Sequence, residues 1–222
     1  MPLRNVAVTA MEIATIERMF PGRLYPGMGH GVLPWMAQVG ARVASPLTLM
    51  REYIPALRAL LAGDEVTVSG RYVTLDRVRL DYPPETAPPV YAAGEGPKTL
   101  ALTGEVADGT ILVGGHTPAE FGDEIRTVHD GRAHAAPGAS TAIIAYVTAA
   151  FGDGAEGRVR AEFGDRGIDD DRAVWGDPDG VAAAVVRFAA VGIDGVVLVP
   201  AEGEPDLAEF LGAVGEVARL VA

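Results

Sequence analysis

Two glycine-rich stretches hold residue types at spacings that chemistry can use. In the first, the apolar run Val90-Tyr91-Ala92-Ala93 gives way to Gly94-Glu95-Gly96, and Pro97-Lys98 then opens a helical pattern. Gly94 and Gly96 permit a tight turn, and Pro97 fits the first helical position, where its missing N–H costs nothing. A helix starting there points free backbone N–H groups at the loop. With the macrodipole, those donors favour a phosphate or carboxylate, and Lys98 adds a full positive charge in the first turn. The same turn also reads, without any ligand, as a tight βα connection. In the second stretch, Gly27-Met28-Gly29-His30-Gly31 forms a flexible loop after a short strand candidate at residues 23–28. A histidine there can donate a hydrogen bond to an anionic ring or relay a proton near neutral pH, or it can be a loop histidine without a role. Trp35 and Met36 nearby suit either a cofactor wall or simple packing.

Other chemistries are excluded. The chain has no cysteine, which removes disulfides, thiolate catalysis and Cys-ligated zinc. It has no HExxH, GxSxG, GxxxxGK[ST] or GxGxxG motif, and His116, His129 and His134 lack metal-ligand spacing. Asp169-Asp170-Asp171 reads as a solvated loop. With 18 Lys plus Arg against 30 Asp plus Glu, the formal charge of −12 repels nucleic acid and anionic membranes. The N-terminus lacks a signal-peptide pattern, and no apolar run reaches the roughly 18 residues of a membrane span. The expectation is a cytoplasmic protein without membrane or nucleic-acid partners, folded as a single domain over residues 1–222.

The elements that must position the two stretches follow from periodicity. Val6, Ala10, Ile13, Ile16 and Met19 predict a first helix stopped by Pro21-Gly22. Ser45 and Pro46 cap a helix carrying Leu47, Met50, Ile54, Leu57 and Leu61, ended by Gly63 and kinked by Pro55, since an interior proline costs about 3 kcal/mol. Residues 65–69 and 72–80 alternate around Gly70-Arg71 as a β-hairpin outside the main sheet, and the proline-rich residues 81–89 form a linker. A helix from Thr117-Pro118 to about Asp130 and a strand over residues 141–150 come next. Residues 151–171 read as a surface loop with one short helix. A helix capped by Asp177-Pro178, a strand at 196–199 and a helix from about Pro205 to Val221 complete the chain. Ala107-Asp108-Gly109 and Ile193-Asp194-Gly195 place the same Asp-Gly pair between a helix and a strand. Repeated βα units with nearly all-apolar strands imply a parallel sheet covered by helices, with ligands at the C-terminal strand ends.

At these residues the sequence resembles the bacterial luciferase-like monooxygenase family, most closely its actinobacterial members that use the deazaflavin F420. The resemblance rests on residues 7–63, on the hairpin, on PPVYAAGEGPKTLALTGEVADGTIL and, more loosely, on GDPDGVAAAVVRFAAVGIDGVVLVP. It implies an α/β fold, a (β/α)₈ TIM-type barrel with a β-hairpin insertion, binding F420 or alternatively FMN at its C-terminal mouth. By position, Gly94, Glu95, Gly96, Pro97 and Lys98 resemble the segment that holds the cofactor phosphate. Gly27, Gly29 and Gly31 resemble the loop beside the ring, and His30 stands where some relatives carry a carboxylate. The implied activity is an F420- or FMN-dependent oxidoreductase that transfers hydride to or from a small organic substrate. The first helix resembles the family's third barrel helix, so about three N-terminal βα units have no counterpart here. That implies either a homodimer covering the exposed strand edges or a misplaced start codon, and it leaves open a degenerate, non-catalytic member that binds cofactor or serves as a dimeric scaffold.

Overall fold

The computed structural model describes residues 1–135, 142–165 and 171–222. The chain divides into two compact units, residues 1–110 with 128–141, and residues 111–127 with 142–222.

The first unit begins with α1 (Val6–Met19), whose N-cap Asn5 accepts from the Ala7 N–H. Val6, Ala10, Ile13 and Ala14 are buried against α3 (Pro46–Leu61), and the Tyr53 hydroxyl donates to Thr9 Oγ1 at 2.7 Å inside that contact. Burial raises the Tyr53 pKa, outweighing its hydroxyl bond to Thr9. As expected, Ser45 caps α3, and the helix runs on through Pro55 because its long apolar face is packed in the core. The hairpin of β2 (Val66–Ser69) and β3 (Thr74–Val78) is antiparallel and separate from the main sheet. It is tied to α3 by Glu52, whose carboxylate accepts from the N–H groups of Arg71, Tyr72 and Val73 at 2.8–3.0 Å. The Tyr72 hydroxyl accepts from the Ser45 N–H at 2.8 Å, so the turn also holds the start of α3.

Strands β1 (Gly27–Gly29) and β4 (Tyr91–Ala93) pair in parallel, Gly27 opposite Tyr91, Met28 opposite Ala92 and Gly29 opposite Ala93. This corrects the strand expected at residues 23–28 and the loop expected at 27–31. The Gly22 N–H is taken by Glu17 and the Arg23 N–H by the Phe20 carbonyl, so the backbone before Pro26 is used in a turn. Pairing starts only where the Pro26 carbonyl accepts from Tyr91. After β4 come α4 (Pro97–Val106) and β5 (Gly109–Leu112), the latter entered through Asp108. Between β1 and α3 lies α2 (Leu33–Gln38), none of whose residues is buried.

The second unit is built on β6 (Ala142–Phe151), which pairs in parallel with β7 (Val174–Gly176) and with β8 (Gly195–Pro200). The expected first residue of β6, Thr141, lies outside the described residues, as do Asp169 and Asp170 of the acidic run. The stretch after β6 contains α6 (Ala155–Phe163), the short helix expected there. Strand β7 was not foreseen, because three residues beside glycine are too few to show a period. Two longer helices of this unit are α7 (Pro178–Ala189), capped by Asp177 as expected, and α8 (Leu207–Leu220). The remaining helix, α5 (Pro118–Arg132), opens with a capping box. In it the Thr117 N–H donates to Glu120 and the Glu120 N–H donates back to Thr117 Oγ1. Phe121 packs edge-on to Phe188 at 5.9 Å, both fully buried.

The Glu52 contact generates a pH-dependent stability. Desolvation against the turn pulls its pKa up, but the three backbone donors and the charge of Arg71 outweigh it, so the folded-state value lies below the ordinary glutamate range. A depressed folded-state pKa contributes stability that is complete above the unfolded pKa and lost as pH falls through the folded one. Glu52→Gln is therefore expected to cost roughly 1 kcal/mol near neutral pH, and to flatten the fall in melting temperature between about pH 5 and 3. Thermal melts across that range check it; parallel curves for the two proteins would contradict it.

Candidate functional site

The register of β1 and β4 brings the two glycine-rich stretches together. Both strands end at the same level, Gly29 beside Ala93, so His30-Gly31 and Gly94-Glu95 leave adjacent strands at one C-terminal edge. Neighbouring strands lie about 4.8 Å apart, so this edge is a single small surface.

On the β4 side, Gly94 is required by a close approach. A Cβ there would stand 2.2 Å from Thr99 Cγ2, and Thr99 is buried. Gly96, the residue before the helix, has φ 77° and ψ 150°, a region that only glycine occupies at low cost, and nothing lies within 4 Å of where its Cβ would be. Pro97 is the first residue of α4, as the sequence predicts. Within the first turn the N–H groups of Thr99 and Leu100 both donate to the Gly96 carbonyl, at 3.1 and 3.0 Å. Those of Gly96 and Lys98 have no protein acceptor among the described residues, and no side chain caps the helix. Glu95, Gly96, Pro97 and Lys98 are all exposed. The result is an exposed turn with backbone donors at the positive end of α4 and a lysine in its first turn, open to an incoming anion.

On the β1 side, Gly27 is exposed while Gly29, His30 and Gly31 are half-buried. The His30 ring nitrogen Nδ1 lies 2.8 Å from the Gly31 carbonyl oxygen. A carbonyl can only accept, so Nδ1 carries the hydrogen and Nε2 is the nitrogen left to act, accepting when the ring is neutral and donating when it is protonated. The thioether of Met36 fills the space beside Gly31, where a Cβ would stand 2.8 Å from Sδ. Trp35 is 62% exposed, so simple packing does not account for it. The Met1 ammonium donates to the Gly29 carbonyl at 3.0 Å, and burial lowers its pKa.

Sequence reasoning did not find Thr99 or Asp108 as parts of this site. Thr99 fills the space beneath Gly94, and its buried threonine at the second position after Pro97 is the only local signal. Asp108 binds Arg58 bidentately, Nε to Oδ2 at 3.0 Å and Nη2 to Oδ1 at 2.5 Å, and Oδ2 also accepts from the Val90 N–H at 2.9 Å. The Asp108 N–H returns a bond to the Val90 carbonyl. Its signal was the repeated Asp-Gly pair, because in the second unit Asp194 exchanges the same two bonds with Ile143.

The family model of luciferase-like monooxygenases matches residues 1–161. A 5,10-methylenetetrahydromethanopterin reductase of Methanolobus tindarius is 32% identical over 128 residues, which are 58% of this chain and 39% of that protein. An F420-dependent glucose-6-phosphate dehydrogenase of Mycobacterium avium is 30% identical over 135 residues, 58% of this chain and 40% of that protein. The matches thus span about two fifths of these curated relatives. Among solved structures, an F420-dependent secondary alcohol dehydrogenase in complex with an F420-acetone adduct superposes with a TM-score of 0.80 at 22% identity, covering 98% of this chain and 76% of that one. The coenzyme F420 dependent tetrahydromethanopterin reductase from Methanopyrus kandleri gives 0.79 at 21%, covering 99% and 80%. At these identities the likeness establishes the fold, that of the TIM-barrel luciferase-like enzymes. A parallel strand pair ending in a glycine turn at a helix N-terminus, that fold and the family model agree: the chain belongs to the luciferase-like monooxygenase family.

Proposed function

We propose that the chain binds F420 at the edge formed by β1 and β4 and acts as an F420-dependent oxidoreductase on a small organic substrate. The observation that carries this reading is the turn at Gly94–Lys98, whose free Gly96 and Lys98 N–H groups, open approach and lysine fit the phosphate of a deazaflavin or flavin. The F420-dependent relatives and solved structures named above favour F420 over FMN. When bound, the deazaflavin in its oxidised form would accept a hydride, two electrons with one proton, from the substrate, and in its reduced form would supply one.

The protein's own residues have distinct tasks in this reading. Gly94, Glu95, Gly96 and Pro97 shape the turn, and the N–H groups of Gly96 and Lys98 with the Lys98 ammonium hold the phosphate. Gly27, Gly29 and Gly31 give the ring a flat backbone surface, and Met36 supports Gly31 from behind. His30, fixed by the Gly31 carbonyl, presents Nε2 to donate a hydrogen bond or a proton to the ring or substrate. No helix among the described residues is long and apolar enough to cross a membrane, and cytoplasmic residence fits this reading. The outward side of α1 carries Val8, Met11 and Met19, exposed by 44%, 60% and 64%, which suits a homodimer pairing through that helix.

Fluorescence titration with F420 tests the proposal. Saturable binding is expected, weakened roughly 3- to 10-fold by Lys98→Ala through loss of a charge-assisted contact. Gly96→Ala is expected to lower stability by about 1–3 kcal/mol, because alanine resists that backbone conformation, and to weaken F420 more than Lys98→Ala does. Failure of both F420 and FMN to bind would overturn the reading, and binding without hydride transfer to any acceptor would favour the non-catalytic member. For the dimer, light scattering at micromolar concentration is expected to give twice the mass of 23.1 kDa. A monodisperse monomer would exclude it.

A further inference from the structure

The first unit contains a cavity of about 730 Å³ that the proposed cofactor site does not use. Its walls come from the end of α1 and the residues after it, Glu17, Pro21 and Tyr25 among them, and from the proline-rich stretch at residues 84–89. These segments lead into β1 and β4, so the cavity lies at the N-terminal ends of the two strands whose C-terminal ends carry His30 and Gly94. Three residues of strand, about 10 Å, separate the two ends.

Four observations give this cavity a sign and a shape. Glu17, part of the cavity lining, is only 5% exposed; Oε1 accepts from the Gly22 N–H at 2.6 Å, and the buried Oε2 has no partner among the described residues. A buried carboxylate oxygen left without a donor is costly unless a cation or further donors offset it. The last turn of α1, where carbonyls rather than N–H groups are left over, forms part of the same wall and adds the negative end of its macrodipole. Exposed Glu85 stands on the opposite wall; Arg18, which also lines the cavity, has its guanidinium 5.3 Å from the Tyr82 ring centroid, so two carboxylates face one cation already engaged with an aromatic ring. The remaining surface combines Leu24, Thr86 and Ala87 with proline rings and the phenol of Tyr25, itself set edge-on to Tyr91 at 5.9 Å. Largely apolar walls with a buried, half-satisfied carboxyl group and an aromatic face suit a cation attached to a ring or short hydrocarbon.

We propose that this cavity is a binding site for an organic ammonium ion with a compact apolar group, its charge held by Glu17 and the C-terminal end of α1. The site is independent of the F420 reading. The volume falls within the range of small-molecule pockets, about 300–1,000 Å³, and the chain's charge of −12 favours the approach of cations.

Calorimetric titration of the full chain with benzylamine hydrochloride, and with benzyl alcohol as its neutral counterpart, tests the proposal at neutral pH and low salt. Benzylammonium is expected to bind saturably with one-to-one stoichiometry, about tenfold or more tighter than the alcohol. In Glu17→Gln the amide oxygen still accepts from Gly22 while the charge is gone. That variant is expected to lose the preference for ammonium and keep both its weak alcohol binding and its affinity for F420. No saturable benzylammonium binding to the unaltered chain, or equal affinity for the alcohol, would overturn the proposal, the latter marking Glu17 as a group satisfied by water. An ammonium preference that survives in Glu17→Gln would overturn the assignment of the charge to Glu17. The comparison on the unaltered chain decides the matter even if the variant does not fold.

Discussion

The carboxylate of Asp108 sets where β4 begins, and through that it sets everything at the far end of the strand. It receives Arg58 from α3 and the N–H of Val90, and its own N–H returns a bond to the Val90 carbonyl. One side chain therefore joins a helix, the start of one strand and the start of the next. Strand β4 then runs only from Tyr91 to Ala93 before Gly94 turns the chain. With so few residues, an error of one position at Val90 would carry Gly94 and Gly96 out of level with Gly29 and His30, and would reverse which side chains face the core. The repetition at Asp194 and Ile143 identifies the Asp-Gly pair as a general device of this chain for starting a parallel strand. An aspartate suits the task because its short side chain reaches a neighbouring backbone N–H without leaving the junction.

The same strand pair separates charge between its ends. At the C-terminal end, α4 begins, with free N–H groups and Lys98. At the N-terminal end, α1 has just finished, with leftover carbonyls and the buried Glu17. Both arrangements follow from helix polarity in a βα repeat. Each strand is entered from a helix C-terminus and left toward a helix N-terminus, so the two ends of a parallel sheet carry opposite partial charges. The proposed anion site above and the proposed cation site below are thus two expressions of one topology, which the glycines and Glu17 make specific.

Much of this was legible in the sequence because local rules dictate it. Pro97 after Gly96, Ser45 before Pro46 and Asp177 before Pro178 mark helix starts by chemistry that acts over three or four residues, and all three lie where expected. The glycine turn before Pro97 was visible for the same reason. What was not legible depends on partners far apart in the chain. Glu52 holds a turn about 20 residues away, and the pairing of β1 starts only where the Pro26 carbonyl accepts from the distant Tyr91 N–H. Strand β1 is therefore shorter and later than its apolar pattern implies. That His30 and Gly94 leave the sheet at one level could not be read from periodicity either, since it follows from the register of two three-residue strands.

The central claim is that a phosphate-bearing cofactor is held by the backbone of the Gly94 turn, with His30 beside its ring. Amide chemical shifts of the ¹⁵N-labelled chain, followed while F420 is added, test this residue by residue. The account predicts the largest changes at Gly96 and Lys98, with a second group at Gly29, His30 and Gly31 and little change at Gly22 or Tyr25. Saturable changes that leave the Gly96 and Lys98 amides unmoved would contradict it.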